Sequence, residues 1–379
     1  MSAILELNDQ QVTLWSAEGE LLYCEPCAAA YVDGAMLFGT NAAAYARSKP
    51  QQFNHRYFST MSAQPLPAKM GAAQNHADLI FHHLQALPDL KGQDIVLGVP
   101  SQWSNDQLGL LLGICNESAL QVKGFVDIAL AHALKDAIPD GSIAVLDIEL
   151  HRLLLTEFET TEQKANLNAQ RVWEGRGYTH IVEGWMSLVA DEYVQRTRFD
   201  PLHSGGTEQQ VLDQLEAWIA NPSPQGIRTR VEKDDDSHEL EVQRDLLQNK
   251  LGQRMGGLDL PEHLAITHRV AAIPGLQKWL SEQSLSISVL TPRNGIARNY
   301  HHAERFLDTE NISRLTSAPI LIEADASSGA VLQTTDTPHQ ATHLLNGHNA
   351  SPIAGFSEIQ TGTSVDIDGI TYLAITVEP

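Results

Sequence analysis

Two kinds of apolar spacing alternate along this chain, and together they leave few folds open. The first forty residues hold five short runs, AILEL, QVTLWS, ELLYCEP, AAAYVDG and AMLFG, separated by Asn-Asp, Glu-Gly and Asp-Gly turn signals. Runs of this kind are the strands of a β-meander. Helical spacing then takes over, at Asn41–Ser48 and, after a polar loop at Gln64–Lys69, at His76–Ala86. DIVLGVP (94–100) is a continuous apolar run closed by proline, the mark of a buried strand. Asp106–Cys115 reads as a helix, VKGFVD as a strand, Ile128–Ala137 as a helix and SIAVLDIELHRLLLTEFE as two strands. Ile181–Thr197 and Thr207–Ala220 are amphipathic helices. GIRTRVEKDDDSHELEVQR is a hairpin with an acidic tip in solvent, and the helix Arg244–Met255 follows it. LAITHRV, Gly275–Gln283 and SISVL give strand, helix and strand. Such alternation predicts an α/β architecture. The residues from Ala318 onward carry no helical pattern and predict a small all-β unit, joined through a linker at Ser313–Ser317. No internal repeat is visible, which leaves open a duplication too divergent to read.

Length and charge narrow the partners. A chain of 379 residues exceeds one small core and predicts two or three packing units. Its 47 Asp+Glu against 25 Lys+Arg give a formal charge of −22, spread along the chain. A surface of that sign repels phosphate backbones and anionic lipid, so neither nucleic acid nor membrane is expected as a partner. An apolar share of 42% is enough to fill ordinary cores. No run approaches a membrane span, and MSAILELNDQQ lacks the basic and apolar regions of a signal peptide. Three cysteines make no disulfide framework, so a reducing cytoplasm is the expected home.

The order of segments resembles the nucleotide-binding domain of the seventy-kilodalton heat-shock chaperones, within the actin and sugar-kinase superfamily. Five passages carry the resemblance, over roughly residues 3–307. FGTNAAAYARSKPQQF looks like the stretch after the family's first meander. DIVLGVPSQWSNDQLGLL is similar to its "ITVPAYFNDAQR", and GFVDIALAHAL sits where "NEPTAAALAYG" would. IRTRVEKDDDSHELEVQRDLL looks like the hairpin and helix of its outer second lobe. AAIPGLQKWL with VLTPRNGIARNYHHAERFL is similar to "SRIPGVQKLL … NPDEAVAYGAAIHAEIL". The resemblance implies a two-lobed actin-like ATPase (ribonuclease H-like) fold around a deep cleft. Residues 1–140 would form lobe I, and 141–312 lobe II, with an outer part at about 186–256 and a return to lobe I near 295–312. A β-rich domain would follow at 318–379.

That fold cradles ATP phosphates on two glycine-rich turns, because only glycine lets the backbone come so close. Here the first turn, Asp-Leu-Gly-Thr in the family, reads Glu6, Leu7, Asn8 and Asp9. The second, Asp-Leu-Gly-Gly-Gly-Thr, reads Asp147, Ile148, Glu149, Leu150, His151 and Arg152. Every glycine is gone, and Glu149 puts a carboxylate where a phosphate would sit. The Gly-Gly of the adenosine turn aligns with His268 and Arg269, the adenine-stacking Arg with Ala272, and a second Gly-Gly with His180 and Ile181. The nucleoside-binding Lys aligns with Glu216, the water-positioning Lys with Arg56, and the interlobe carboxylate with Asp127. Asp147 alone is kept. The resemblance therefore implies a degenerate pseudo-ATPase, a non-catalytic chaperone-like scaffold for a protein partner with no cofactor. Two alternatives stand beside it. One is a divergent ATPase that holds ATP or ADP with Mg²⁺ through Glu6, Asp127 and Asp147. The other is a cleft turned to another anion by His180, His268 and Arg269.

Other motifs carry less. Cys24-Glu-Pro-Cys27 is a CxxC inside a meander rather than at a helix start, with Cys115 as the one further thiol, so ordinary cysteines are expected. Among sixteen histidines, His82/His83 and His301/His302 are adjacent pairs whose side chains diverge on a helix. His339, His343 and His348 lie in the β-rich tail without a neighbouring cysteine. No Gly-x-Ser-x-Gly elbow, Walker A turn or His-Glu-x-x-His helix is present. The tail has roughly half the residues of a chaperone's substrate domain and is expected to be a partner-binding appendage.

Overall fold

Two residues, Asp9 and Gln10, fold the first apolar run back on the second. Gln10 N–H is caught by the Asn8 carboxamide at 2.9 Å, a local turn that fixes the hairpin. The computed structural model describes residues 1–321 apart from 89, 91, 137–140, 284, 291 and 309; beyond them it describes the backbone of four short strands. Two units result, Met1–Ile322 and Glu323–Pro379.

The body begins with β1 (Ala3–Asn8), β2 (Gln11–Trp15) and β3 (Leu21–Pro26), an antiparallel meander. A side sheet follows from β4 (Ala29–Val32), β5 (Ala35–Phe38) and β6 (Phe53–Asn54), with α1 (Gly39–Ala43) between the last two. The expected helix at 41–48 is thus one short helix and turns. The expected loop at 64–69 is instead β7 (Pro65–Met70), paired with β8 (Ala73–Asn75). Then α2 (His76–Ala86), β9 (Asp94–Val99), α3 (Asn105–Glu117), β10 (Gln121–Asp127) and α4 (Ile128–Ala133) alternate. A capping box at Ser104 and Gln107 starts α3, and the Asp127 carboxylate caps α4.

The second sheet opens in the same way, with β11 (Ser142–Ile148), β12 (Arg152–Thr161) and β13 (Lys164–Glu174) antiparallel. Strand β13 alternates exposed and part-buried residues and carries few apolar ones, so its sequence gives no strand signal. An outer group follows: α5 (Tyr178–Thr197), α6 (Gly205–Ala220), the hairpin β14 (Gly226–Lys233) and β15 (Asp236–Gln243), and α7 (Arg244–Met255). Next come β16 (His263–Ile266), α8 (His268–Ala271), α9 (Leu276–Glu282), β17 (Ser286–Val289) and α10 (Arg293–Glu304). The two sheets have orders β18-β10-β9-β1-β2-β3 and β17-β16-β11-β12-β13-β19. In each, the first strand of a meander is flanked by two later parallel strands, so five strands repeat the same order and direction.

The last two body strands, β18 (Arg314–Leu315) and β19 (Ser317–Pro319), correct the expected linker at 313–317. One joins β10 and the next joins β13, so a single extended segment is the edge of both sheets. Between them the Thr316 carbonyl accepts Leu167 N–H at 3.1 Å.

Side chains sort by strand alternation into three cores. One lies under the first sheet with α2 and α3, and another under the second with α5, α7 and α9. The third takes Ile4 and Val96 from the first sheet, Val145 and Ala265 from the second, and Leu130 and Tyr300 from α4 and α10. Helices α4 and α10 therefore fill a middle layer between the sheets. The tail strands β20 (His343–Asn346), β21 (Asn349–Pro352), β22 (Ser364–Ile367) and β23 (Ile370–Ile375) form one antiparallel sheet in the order β21-β20-β23-β22. Among the described residues no helix is long and apolar enough to cross a membrane.

Trp185 anchors the outer group. It is fully buried, stands edge-on to Trp218, and donates its indole N–H to the Leu247 carbonyl at 2.9 Å. Trp185→Ala is expected to lower unfolding stability by about 3–5 kcal/mol. Trp185→Phe should cost less, keeping most of the volume and losing one hydrogen bond to a carbonyl inside α7. Denaturant midpoints check both.

Candidate functional site

The strand period places two carboxylates face to face. On β1, Ala3, Leu5 and Leu7 point to the outer core, while Ile4 points to the middle layer; Glu6, two residues on, follows Ile4. On β11, Leu146 and Ile148 face outward and Val145 inward, so Asp147 faces the middle layer too. Strand β16 repeats the pattern, with Ala265 inward and Thr267 following it just before α8. Arg269, on that short helix, then reaches between the two acids.

Arg269 is 2% exposed, and its guanidinium joins both carboxylates. Its Nη1 donates to Glu6 Oε1. Nη2 donates to Asp147 Oδ2 at 2.7 Å and Nε to Asp147 Oδ1 at 3.0 Å, a two-pronged contact. Thr267 Oγ1 donates to Asp147 Oδ1 at 2.6 Å, and Tyr300 OH to Glu6 Oε2 at 2.7 Å. His132 Nε2 lies 3.2 Å from Glu6 Oε2, and its ring stacks on His268, with centroids 5.4 Å apart. Gly98 makes room for the Tyr300 hydroxyl, since a Cβ there would collide with it. Burial by itself would push both acids up. The Arg269 charge, with His132 and the donated hydrogen bonds, instead holds Glu6 well below the usual carboxylate range and lowers Asp147. Burial likewise opposes the Arg269 charge, but Asp147 and Glu6 overcome it and raise its pKa.

Beside this cluster the two turns meet directly. Asp9 Oδ1 accepts the Leu150 N–H, and Asn8 Nδ2 donates to the Ile148 carbonyl at 3.3 Å and to Asp147 Oδ2 at 3.4 Å. Glu149 is buried; Gln102 Nε2 donates to its Oε1 at 2.7 Å, and Arg152 Nε stands 2.9 Å from its Oε2 as an ion pair lacking hydrogen-bond alignment. Burial, then the charge of the other acid, pushes Glu149 well above its ordinary value; burial also takes Asp9 to about 6. An ionised Asp9 thus disfavours the charge on Glu149.

The remaining residues implied by the resemblance are spread out. Asp127 accepts Leu130 N–H at 3.2 Å as a helix cap; its other oxygen has no partner, and burial raises its pKa. Arg56 is exposed on a turn. His55 and His151 make a ring contact at 4.9 Å, and burial lowers them to about 3 and about 4. His180 bonds Arg254 Nη1 at 3.2 Å, Glu216 accepts from Tyr178 OH, and Ala272 is exposed. His268 is pushed to about 2 by burial and Arg269, and neither of its ring nitrogens has a partner. The anion set His180, His268 and Arg269 is therefore not one site, because Arg269 is spent on two acids and His180 on Arg254. The structure adds Tyr300, His132, Thr267 and Gln102. All four lie in passages that carry a strand or helix signal or the resemblance, and none stands out there.

Cys24 Sγ is 3.6 Å from Thr13 Oγ1, Cys27 is buried, and burial raises both thiols, so neither is an activated thiolate. His83 is a core residue bonded to Tyr57 OH at 2.8 Å and stacked on Phe38. His302 meets the Pro319 carbonyl at 2.8 Å. Of the tail histidines, His339 and His348 lie outside the described residues, and His343 is on β20. Among the described residues no three His, Cys, Asp or Glu side chains are grouped to hold a metal.

The nucleoside triphosphate that the resemblance implies would need free backbone N–H groups on both turns and a gap between them. Here the Leu150 N–H is taken by Asp9, a side-chain amide bridges the turns, and Arg269 lies between the acids that would flank a metal. The residues present do not fit that ligand. No family model matches the chain, and the curated proteins contain no match to it.

Two substitutions separate the contributions. Arg269→Met leaves Glu6 and Asp147 buried without their counter-charge and is expected to cost about 3–5 kcal/mol. Because both acids are depressed in the folded wild type, their contribution is lost as pH falls through their folded values, so the deficit of the variant should shrink in acid. Asp9→Asn works in the opposite direction. A carboxyl raised from 3.8 to about 6 costs the folded state stability as pH rises between those values. The amide keeps an acceptor for Leu150 N–H without that cost. It is expected to gain on the order of 2 kcal/mol at pH 7 and nothing below pH 4, read from denaturant midpoints across pH.

Proposed function

We propose that the body is a degenerate actin-like ATPase fold, of the kind found in the seventy-kilodalton heat-shock chaperones, and that it acts as a non-catalytic scaffold for a protein partner. The observation that carries this reading is the direct bonding of the two turns, Asp9 to Leu150 N–H and Asn8 to the Ile148 carbonyl. In an active member of that fold these turns face each other across a nucleotide. Here polar side chains of one turn use up groups of the other. The five-strand order repeated in both sheets supports the two-lobed reading, since a duplicated ribonuclease H-like lobe has that order.

The alternative of a divergent Mg²⁺-dependent ATPase is weaker on the same geometry. It needs a cation between Glu6 and Asp147, and the Arg269 guanidinium fills that place with bonds to both. Adding a metal there would bury a second cation beside the guanidinium.

Thermal melting with Mg²⁺ and ATP or ADP tests the proposal. The melting temperature is expected to stay constant up to millimolar nucleotide. A saturable rise would overturn the proposal, because a ligand that binds only the folded state must stabilise it.

A further inference from the structure

One strand edge in the outer group is only partly covered. Strand β14 pairs with β15 on one side and meets α6 on the other. Along that second side the helix satisfies the backbone with glutamine carboxamides. Gln210 Nε2 donates to the Glu232 carbonyl at 2.9 Å, and its Oε1 accepts Glu232 N–H at 2.8 Å. Gln214 does the same for Arg230, at 2.9 and 2.7 Å. The spacing is geometric: four residues advance the helix by about one turn, and two return the strand to the same edge. The next step pairs position 218 with Arg228. Position 218 is a tryptophan, which has no acceptor oxygen to offer.

The ladder of β14 with β15 runs without a register shift, so Arg228 N–H and C=O point to the same edge as those of Arg230 and Glu232. Among the described residues no hydrogen bond reaches either group. At this step helix and strand enclose a groove of about 450 Å³ lined by Gln214, Ala217, Trp218, Ile227, Arg228 and Glu241 among others. Trp218 is 7% exposed, and its indole N–H has no hydrogen-bond partner. Buried donors are ordinarily satisfied, so this N–H, on a residue that lines the groove, is a further donor available to an acceptor there.

We propose that this groove binds a glutamine carboxamide presented by an extended segment of a partner protein. A planar carboxamide carries a donor and an acceptor at the spacing that matches N–H and C=O of one extended residue, as the two internal glutamines do at the adjoining steps. Its methylenes would lie against Ala217, Ile227 and Trp218. An added main-chain strand fits worse, because α6 already covers Arg230 and Glu232 and leaves one residue of open edge. The proposal rests on the scaffold reading only in taking the occupant to be a protein segment. Nucleotide binding at the Arg269 cluster would overturn that reading and leave the groove unaffected.

The test is amide-resolved NMR of the full chain with three blocked peptides: acetyl-Gly-Gln-Gly-amide, the same peptide with norleucine for glutamine, and acetyl-triglycine-amide. The glutamine peptide is expected to shift the Arg228 amide saturably, with the norleucine peptide about tenfold weaker or more. The glutamine peptide should also shift the Trp218 indole N–H and the Ile227 amide. Arg228→Pro, followed through those two groups because position 228 then has no amide, should abolish their shift, since it removes only an edge N–H that nothing in the chain uses. Arg228→Ala, which keeps the N–H, should retain it. Absence of a saturable shift with the glutamine peptide would overturn the proposal. So would equal binding of the norleucine or triglycine peptide, which reads out on the wild type even if the proline variant does not fold.

Discussion

A guanidinium shut away from water must have its charge met on the spot, and Arg269 meets that condition through acids on two different sheets. Removing three ionic groups from solvent is expensive, and the attraction among them roughly offsets that cost when every donor and acceptor is matched. Thr267, Tyr300 and Asn8 do much of the matching. The value of such a cluster lies less in net stability than in what it forbids. A one-residue slip of β1 would turn Glu6 toward the outer core and leave Arg269 with a single partner. The cluster thus fixes the register of β1 against β11 through a helix that belongs to neither strand.

The same middle layer explains why the two sheets behave as one body. Helices α4 and α10 pack between them, and the segment from Arg314 to Pro319 closes the far edges of both with one run of chain. Arg47 adds a polar tie at the outer end: it pairs with Glu183, lies 3.3 Å from Glu208, and its N–H donates to Gln209 at 2.7 Å. The contacts that hold this body together come from its own residues.

How much of this could be read beforehand depends on the element. Apolar runs such as DIVLGVP and the helix near 76–86 follow directly from periodicity, because burial on one or both faces leaves a repeating signature. Strand β13 left none, since its apolar residues are few and one face is wet. The edge strands at 314–319 looked like a linker because two- and three-residue strands have no period to detect. At the site, Glu6 and Asp147 stand out only through the resemblance, by their alignment with its two turns. Arg269 aligns with an adenosine turn and with an alternative anion site; nothing local announces that a basic residue 122 positions beyond Asp147 will bond to it. The paired pKa of Asp9 and Glu149 was equally hidden, being a property of two turns brought together.

The acidic surplus shows the division most clearly. By itself the sequence determined the charge of −22 and the α/β alternation, because composition and short-range period depend only on neighbouring residues. Only the tertiary structure decided that Glu6, Asp9, Asp127, Asp147 and Glu149 are buried, and what each one meets there. Whether a carboxylate repels, caps a helix, keeps a proton or holds an arginine is set by distance and desolvation. Both arise from contacts between residues far apart in the chain.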